Sequence, residues 1–390
     1  MLVTRALGPV DKGKYALVIT TIGMLMQLSN FGLHTANTYF VSKERNALSN
    51  LFSNSIFWIL VATSVVNTGF LIFNWAYPGQ IHMFENGYGF VVLGTYAALI
   101  NTTAQNMNIA IGNVRFVNKY NVISKVVTLA LVSLLFFTDR LTVPYALAIA
   151  ILEFVLIGTL CVRLLVLAID KISFKPDYTL LKKSLYYGFK AHLVTLMSYM
   201  VIRSDVYLVK YYLGDQAVGF YSSAVQIIDQ VAYLGVAVNS LLMPKLSAEK
   251  DPEERVRLTK RSFNHLAVLL LFACGGCFIF ARYIVLILFG EDFLGSVEPF
   301  RLLLIAIFFL SIESSLAQYL ASIGFPWSLI WAWLVAFGTN LGLNMYLIPK
   351  LGVNGAAYSS MVSYFVIFAY VGILMYQHAK KVKRNALIRE

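Results

Sequence analysis

The stretches LGPVDKGKY at residues 7–15 and LGDQAVGFY at residues 213–221 share a pattern: Leu-Gly, four residues, Gly, one residue, Tyr. Their matching letters stand 206 positions apart. Each copy precedes a long hydrophobic run. Glycines permit a tight reversal between antiparallel helices, and a tyrosine there suits the boundary between lipid and water. The duplication predicts a chain of two halves that begin alike.

Of the 390 residues, 59% are hydrophobic and 13% charged, against about 25% charged in soluble domains. Hydrophobic runs long enough to cross a hydrocarbon core recur at 14–40, 51–76, 88–111, 118–138, 142–167, 186–211, 216–243, 263–289, 298–322, 326–349 and 352–377. The period-2 alternation of a membrane barrel is absent. The expectation is an all-α polytopic membrane protein of eleven transmembrane helices in two pseudo-symmetric bundles, five plus six. Its parts are an N-terminal bundle at 1–170, a cytoplasmic linker at 171–185, a six-helix bundle at 186–377 and a basic cytoplasmic tail at 378–390. The prolines fit, with Pro78, Pro176 and Pro252 in loops and the other six between spans or at their ends.

Short loops rich in Lys and Arg stay cytoplasmic. With the loop at 41–50 on that side, 22 of the 31 Lys and Arg fall there, while Arg5, Lys12, Lys14, Arg140, Lys210 and Lys350 fall opposite. This places the C-terminus in the cytoplasm and both Leu-Gly copies on the outer side. It also accounts for the net charge of +12 without nucleic acid. Cys161, Cys274 and Cys277 lie in hydrophobic runs and read as packing residues, and neither they nor the five histidines give a metal spacing.

Polar residues within spans face other helices or a watery cavity. Thr20, Gly23, Gln27, Asn30, His34 and Asn37 step by three and four along one helix face. Gln226, Asp229, Tyr233 and Ser240 fall on the equivalents of positions 20, 23, 27 and 34. Such matched faces line a shared cavity or hold helices together. Arg203 and Asp205 lie about 200° apart on one helix, with Arg203 at a depth where Asp229 on the next helix comes within reach. Their pair is either structural or a site that trades partners with an anionic head group or a coupling cation. Glu153 and Glu313 are further acids within spans. Arg115, Lys119 and Lys125 mark a weaker candidate, a cytoplasmic entrance, with ordinary positive-inside charge as its alternative.

The segments RALGPVDKGKY at 5–15, RSDVYLVKYYLGDQAVGFYSSA at 203–224 and NLGLNMYLIPKLGVNGAAYSS at 340–360 resemble the polysaccharide-type flippases, O-antigen flippases included, of the multidrug/oligosaccharidyl-lipid/polysaccharide exporter superfamily. The resemblance implies twelve helices in two six-helix bundles. By that pattern a helix is missing before residue 7; about 20 residues upstream of Met1 would supply it, and a true eleven-helix variant is the alternative. There is no signal-peptide pattern.

The implied function is flipping a polyprenyl-pyrophosphate-linked oligosaccharide across the bacterial inner membrane by alternating access, for O-antigen or other surface polysaccharide biosynthesis. The expected site is Arg203, Asp205, Asp229, Gln226, Tyr233, Gln27, Asn30 and His34. No cofactor or metal is expected, with H+ or Na+ as the candidate coupling ion. The expected partners are the lipid-linked oligosaccharide and membrane lipids, with a polysaccharide polymerase and ligase as further candidates, and the chain is expected to be a monomer. One alternative is a drug or organic-cation antiporter of the same superfamily. Another is a membrane-embedded glycosyl or acyl transferase, against which no outer loop collects paired carboxylates or a His with an acidic partner.

Overall fold

The computed structural model describes residues 1–43, 45–77, 87–169, 175–324 and 327–387. Among the described residues all regular structure is helical. The helices are α1 (Leu2–Asn30), α2 (Leu33–Lys43), α3 (Leu48–Ala76), α4 (Gly87–Ala110), α5 (Val114–Phe137), α6 (Val143–Ala168) and α7 (Tyr178–Leu213). They continue with α8 (Asp215–Ala248), α9 (Pro252–Ile279), α10 (Ala281–Phe289), α11 (Val297–Ser322), α12 (Trp327–Leu351) and α13 (Val353–Leu387).

Seven of them, α3, α5, α6, α8, α9, α11 and α13, are long and apolar enough to cross a membrane, and the bent pair α1 and α2 adds an eighth. This is short of the eleven spans expected. Helices α4, α7 and α12 carry too many polar residues to qualify on composition: the Asn, Thr and Gln of 101–108, the charges of α7, and Asn340 with Asn344. The run at 14–40 also departs from expectation, because Phe31 (φ 49°) and Gly32 (φ 78°) are left-handed and bend α1 from α2 by 53°. A β-carbon at Gly32 would lie 2.2 Å from the Gly188 carbonyl oxygen of α7. Only glycine lets the two backbones meet there.

The chain forms two compact units: unit 1 comprises Met1–Leu7 and Lys14–Tyr199, and unit 2 comprises Gly8–Gly13 and Met200–Glu390. The division falls inside α7, which begins at Tyr178 within the segment expected to be a linker. Residues 171–174 of that segment, 388–390 of the tail, and Pro78 and Pro326 lie outside the described residues. In unit 1, α4 packs against α2, α3 and α6, burying Val41, Leu51, Met107, Ile157 and Leu165. In unit 2, α11 packs on α8, α9 and α13, and α12 packs on α13. Phe300 and Tyr319 of α11 are fully buried there.

Unit 2 also explains the duplicated stretch. Gly8 (φ 67°, ψ 174°) and Gly214 (φ 82°, ψ −172°) share one backbone conformation, which L side chains rarely adopt. Gly8 interrupts helical geometry immediately before Pro9. Pro9, expected outside any helix, thus stands at a helical start, where its missing amide hydrogen matters least. A β-carbon at Gly13 would lie 1.9 Å from the Asp215 carbonyl oxygen, and one at Gly219 would lie 1.8 Å from the Pro9 carbonyl oxygen. Gly13 corresponds to Gly219 across the repeat, and Pro9 to Asp215. The contact is therefore reciprocal: each copy supplies the glycine that admits the other copy's backbone.

Candidate functional site

Helix α7 sends Arg203 and Asp205 to different partners, as their angular separation on a helix requires. Arg203 Nη2 donates to both carboxylate oxygens of Asp229 on α8, at 3.0 and 2.8 Å. The Arg203 and Asp229 side chains keep 26% and 40% of their exposure. The pair is thus only partly buried.

Asp205 is fully buried. Its Oδ2 accepts from Tyr221 Oη and from Ser360 Oγ, both at 2.5 Å, and its Oδ1 accepts from Asn344 Nδ2 at 2.5 Å. Asn344 also donates to Asn340 Oδ1 at 2.9 Å, and Ser204 Oγ donates to the same oxygen at 3.2 Å. Asn344 Oδ1 and Asn340 Nδ2 are buried without partners among the described residues. Four helices, α7, α8, α12 and α13, thus converge on one carboxylate. No described Lys or Arg forms an ion pair with it. A carboxylate withdrawn from water needs a proton or a positive charge beside it. The surrounding carboxylate, amide and hydroxyl oxygens are hard donors of the type that hold small oxophilic cations.

Gln226 of α8 accepts from Lys12 Nζ at 3.0 Å, and Lys12 is buried rather than in an outer loop as its sequence position suggested. Tyr233, 62% exposed, stands apart from these contacts. In unit 1, Asn30 and His34 hydrogen-bond to each other across the helix break, and the Gln27 side-chain oxygen is buried without a partner. The bend turns His34 and Asn37 off the straight face shared by Thr20, Gln27 and Asn30. Arg115 and Lys119 are exposed in the first turns of α5. Lys125 lies further along, about 16 Å into α5 at about 1.5 Å per residue, and forms an ion pair with Glu153 of α6 at 2.6 Å. Thr128 donates to the same carboxylate at 3.2 Å. The motif tyrosine Tyr221, expected at the lipid boundary, is instead fully buried as a partner of Asp205.

Sequence reasoning gave no role to Asn340, Asn344 or Ser360. The available signal was amides four residues apart inside an apolar run. That spacing equally fits helix-to-helix glue, and only the tertiary structure brings Asp205 to residues 139 and 155 positions away. Among the described residues no group of three or more His, Cys, Asp or Glu is placed to hold a metal.

The protein family described as polysaccharide biosynthesis protein matches residues 2–298. The chain belongs to this family. A candidate O-antigen transporter of Shigella flexneri is 26% identical over 190 residues, covering 47% of this chain and 44% of that protein. An inferred low-salt glycan biosynthesis flippase of Haloferax volcanii is 23% identical over 373 residues, covering 93% of this chain and 76% of that protein. The chain thus matches less than half the length of the Shigella flexneri relative. Among solved structures, the lipid II flippase MurJ in an inward closed conformation superposes with a TM-score of 0.77 at 13% identity, over 99% of this chain and 87% of MurJ. An inward-facing multidrug resistance MATE transporter of the MOP superfamily gives the same TM-score at 12% identity, over 98% of this chain and 94% of that one. These likenesses establish the fold: this member of the polysaccharide biosynthesis family is a multi-pass membrane protein with the architecture common to MurJ and MATE.

Proposed function

We propose that the protein is a transporter, not an enzyme, and that it flips a polyprenyl-pyrophosphate-linked oligosaccharide from the cytoplasmic to the outer face of a bacterial inner membrane. The family match carries this reading, supported by relatives named for O-antigen transport and glycan flipping. Within unit 2 the accessible Arg203–Asp229 pair is suited to open toward a pyrophosphate: Arg203 transfers its donors to the incoming anion, and Asp229 is released. The buried oxygen set around Asp205 serves as the coupling site for H+ or Na+. Alternating access moves the head group while the polyprenyl tail stays in lipid. The C-terminus is cytoplasmic, the protein acts as a monomer, and a polymerase and ligase use the flipped product. Expression in a flippase-null strain, with surface glycan as the readout, tests this. Restored glycan is expected, and normal membrane levels without any restoration across a panel of glycan-defective strains would refute it.

A second reading, a drug or organic-cation antiporter, is favoured by the MATE-like fold and by a buried acid that can accept a cation. It predicts altered drug sensitivity on deletion with surface glycan unchanged.

A further inference from the structure

Unit 2 contains a cavity of about 830 Å3 between the first half of α9 and the last half of α13, with Leu316 of α11 at its floor. None of the candidate site residues lines it. The α13 wall is graded along its length. On α13 the lining runs from Phe368 and Gly372 through Met375 and Tyr376 to Lys380 and Lys383; on α9 it runs from Asn264 and Phe263 through Lys260 and Val256 to Glu253. The apolar end is closed by Phe263 and Phe368, whose rings lie parallel within 8° at 6.3 Å. The span from Phe368 to Lys383 is about 22 Å at about 1.5 Å per residue, which exceeds the roughly 15 Å hydrocarbon depth of one leaflet. Lys380 and Lys383 consequently lie at head-group level when the apolar end lies at acyl-chain level, while Lys260 is one turn, about 5 Å, from Phe263.

The three lysines are exposed, and among the described residues none of them forms an ion pair. Of the nearby arginines, Arg257 is engaged with Glu254 and Arg255 with the Glu249 carbonyl. The acidic member of the rim is Glu253, which leaves the mouth with net positive charge. A β-carbon at Gly372 would meet only Leu316 Cδ1, at 4.0 Å, so the missing side chain keeps the apolar part of the groove wide.

We infer that this groove binds an anionic glycerophospholipid of the surrounding leaflet, of the phosphatidylglycerol type. Its phosphate is held by Lys380 and Lys383, its head-group hydroxyls donate to Glu253, and one acyl chain lies between Phe263, Phe368 and Met375. The charge gradient favours a lipid over a partner helix, because the groove is basic at one end and apolar at the other. This binding does not depend on what the protein transports.

Native mass spectrometry of the full chain, extracted from vesicles of equimolar phosphatidylglycerol, phosphatidylethanolamine and phosphatidylcholine, tests the inference. Phosphatidylglycerol is expected to be retained over phosphatidylcholine by about tenfold or more, equivalent to about 1.4 kcal/mol. Combined Lys380→Ala and Lys383→Ala should bring retention down to the phosphatidylcholine level without unfolding, since both side chains are exposed. Gly372→Phe should lower retention of every phospholipid by filling the groove from within. Equal retention of the three lipids by the unaltered protein, or undiminished phosphatidylglycerol on the double variant, overturns the inference. Preferential displacement of phosphatidylglycerol by added polyprenyl pyrophosphate also overturns it, by assigning the groove to the carrier lipid.

Discussion

In unit 1 three polar contacts join neutral groups, Asn37 to Ser55 at 2.7 Å, Gln105 to Asn101 at 2.8 Å, and Asn108 to the Cys161 carbonyl at 2.9 Å, and the acid Glu153 is held by Lys125. Unit 2 holds the buried acids Asp205 and Glu313 and the partly exposed Arg203–Asp229 pair. Neutral hydrogen bonds hold helices together without responding to a proton or an ion. Buried acids change state when either arrives. Two halves that start from one motif therefore differ in chemistry, with the fully buried acids in unit 2.

The largest effect is expected where the halves are still alike. Gly13→Val and Gly219→Val each drive a side chain into a carbonyl oxygen that no rotamer change can clear, and each should remove the folded protein from the membrane fraction. Gly69→Ala in α3, with no atom within 4 Å of its β-carbon, is the matched control; folded yield should be unchanged or slightly higher, since Ala improves a helix interior by roughly 0.5–1 kcal/mol. Normal yield from both valine variants would show that the reciprocal contact is dispensable.

Next comes the contrast between charged and neutral interiors. Asp205→Ala should lower transport by at least about a hundredfold, equivalent to about 2.7 kcal/mol, while Asn37→Ala in unit 1 should leave most of the activity. Surface glycan per unit of membrane-inserted protein distinguishes them, and comparable losses would erase the proposed division of labour. Arg203→Ala and Asp229→Ala should each reduce transport by about tenfold with less than about 1 kcal/mol lost in thermal stability, because both side chains are only partly buried. A large drop in melting temperature with activity per folded molecule intact would make that pair structural.

The smallest effect is expected at the charge pair of unit 1. Lys125→Met removes the cation beside Glu153 but keeps the Thr128 hydrogen bond and should cost about 1 kcal/mol of stability with near-normal glycan. A transport defect matching that of Asp229→Ala would bring unit 1 into the responsive machinery.

The helical class, the duplicated motif and the approach of Arg203 to Asp229 were legible from composition, spacing and helical angle. The break after Asn30 was not, because Phe31 and Gly32 sit inside an unbroken apolar period and Gly188, which makes room for the turn, is more than 150 residues away. Lys12 was misplaced because a cation near a chain start reads as a loop residue until Gln226 is seen beside it. The Asp205 pocket was half visible: the acid stood out in its span, whereas Asn344 and Ser360 resemble the amides and hydroxyls found throughout membrane helices.

The reciprocal glycine contact also bears on how such a chain can change over generations. After a segment is copied, each copy is ordinarily free to drift while the other preserves the original property. Here that freedom is withdrawn at two letters, because the space at Gly13 is required by Asp215 and the space at Gly219 by Pro9. Neither copy can stand in for the other, so the twin motif can outlast the likeness of everything between its copies.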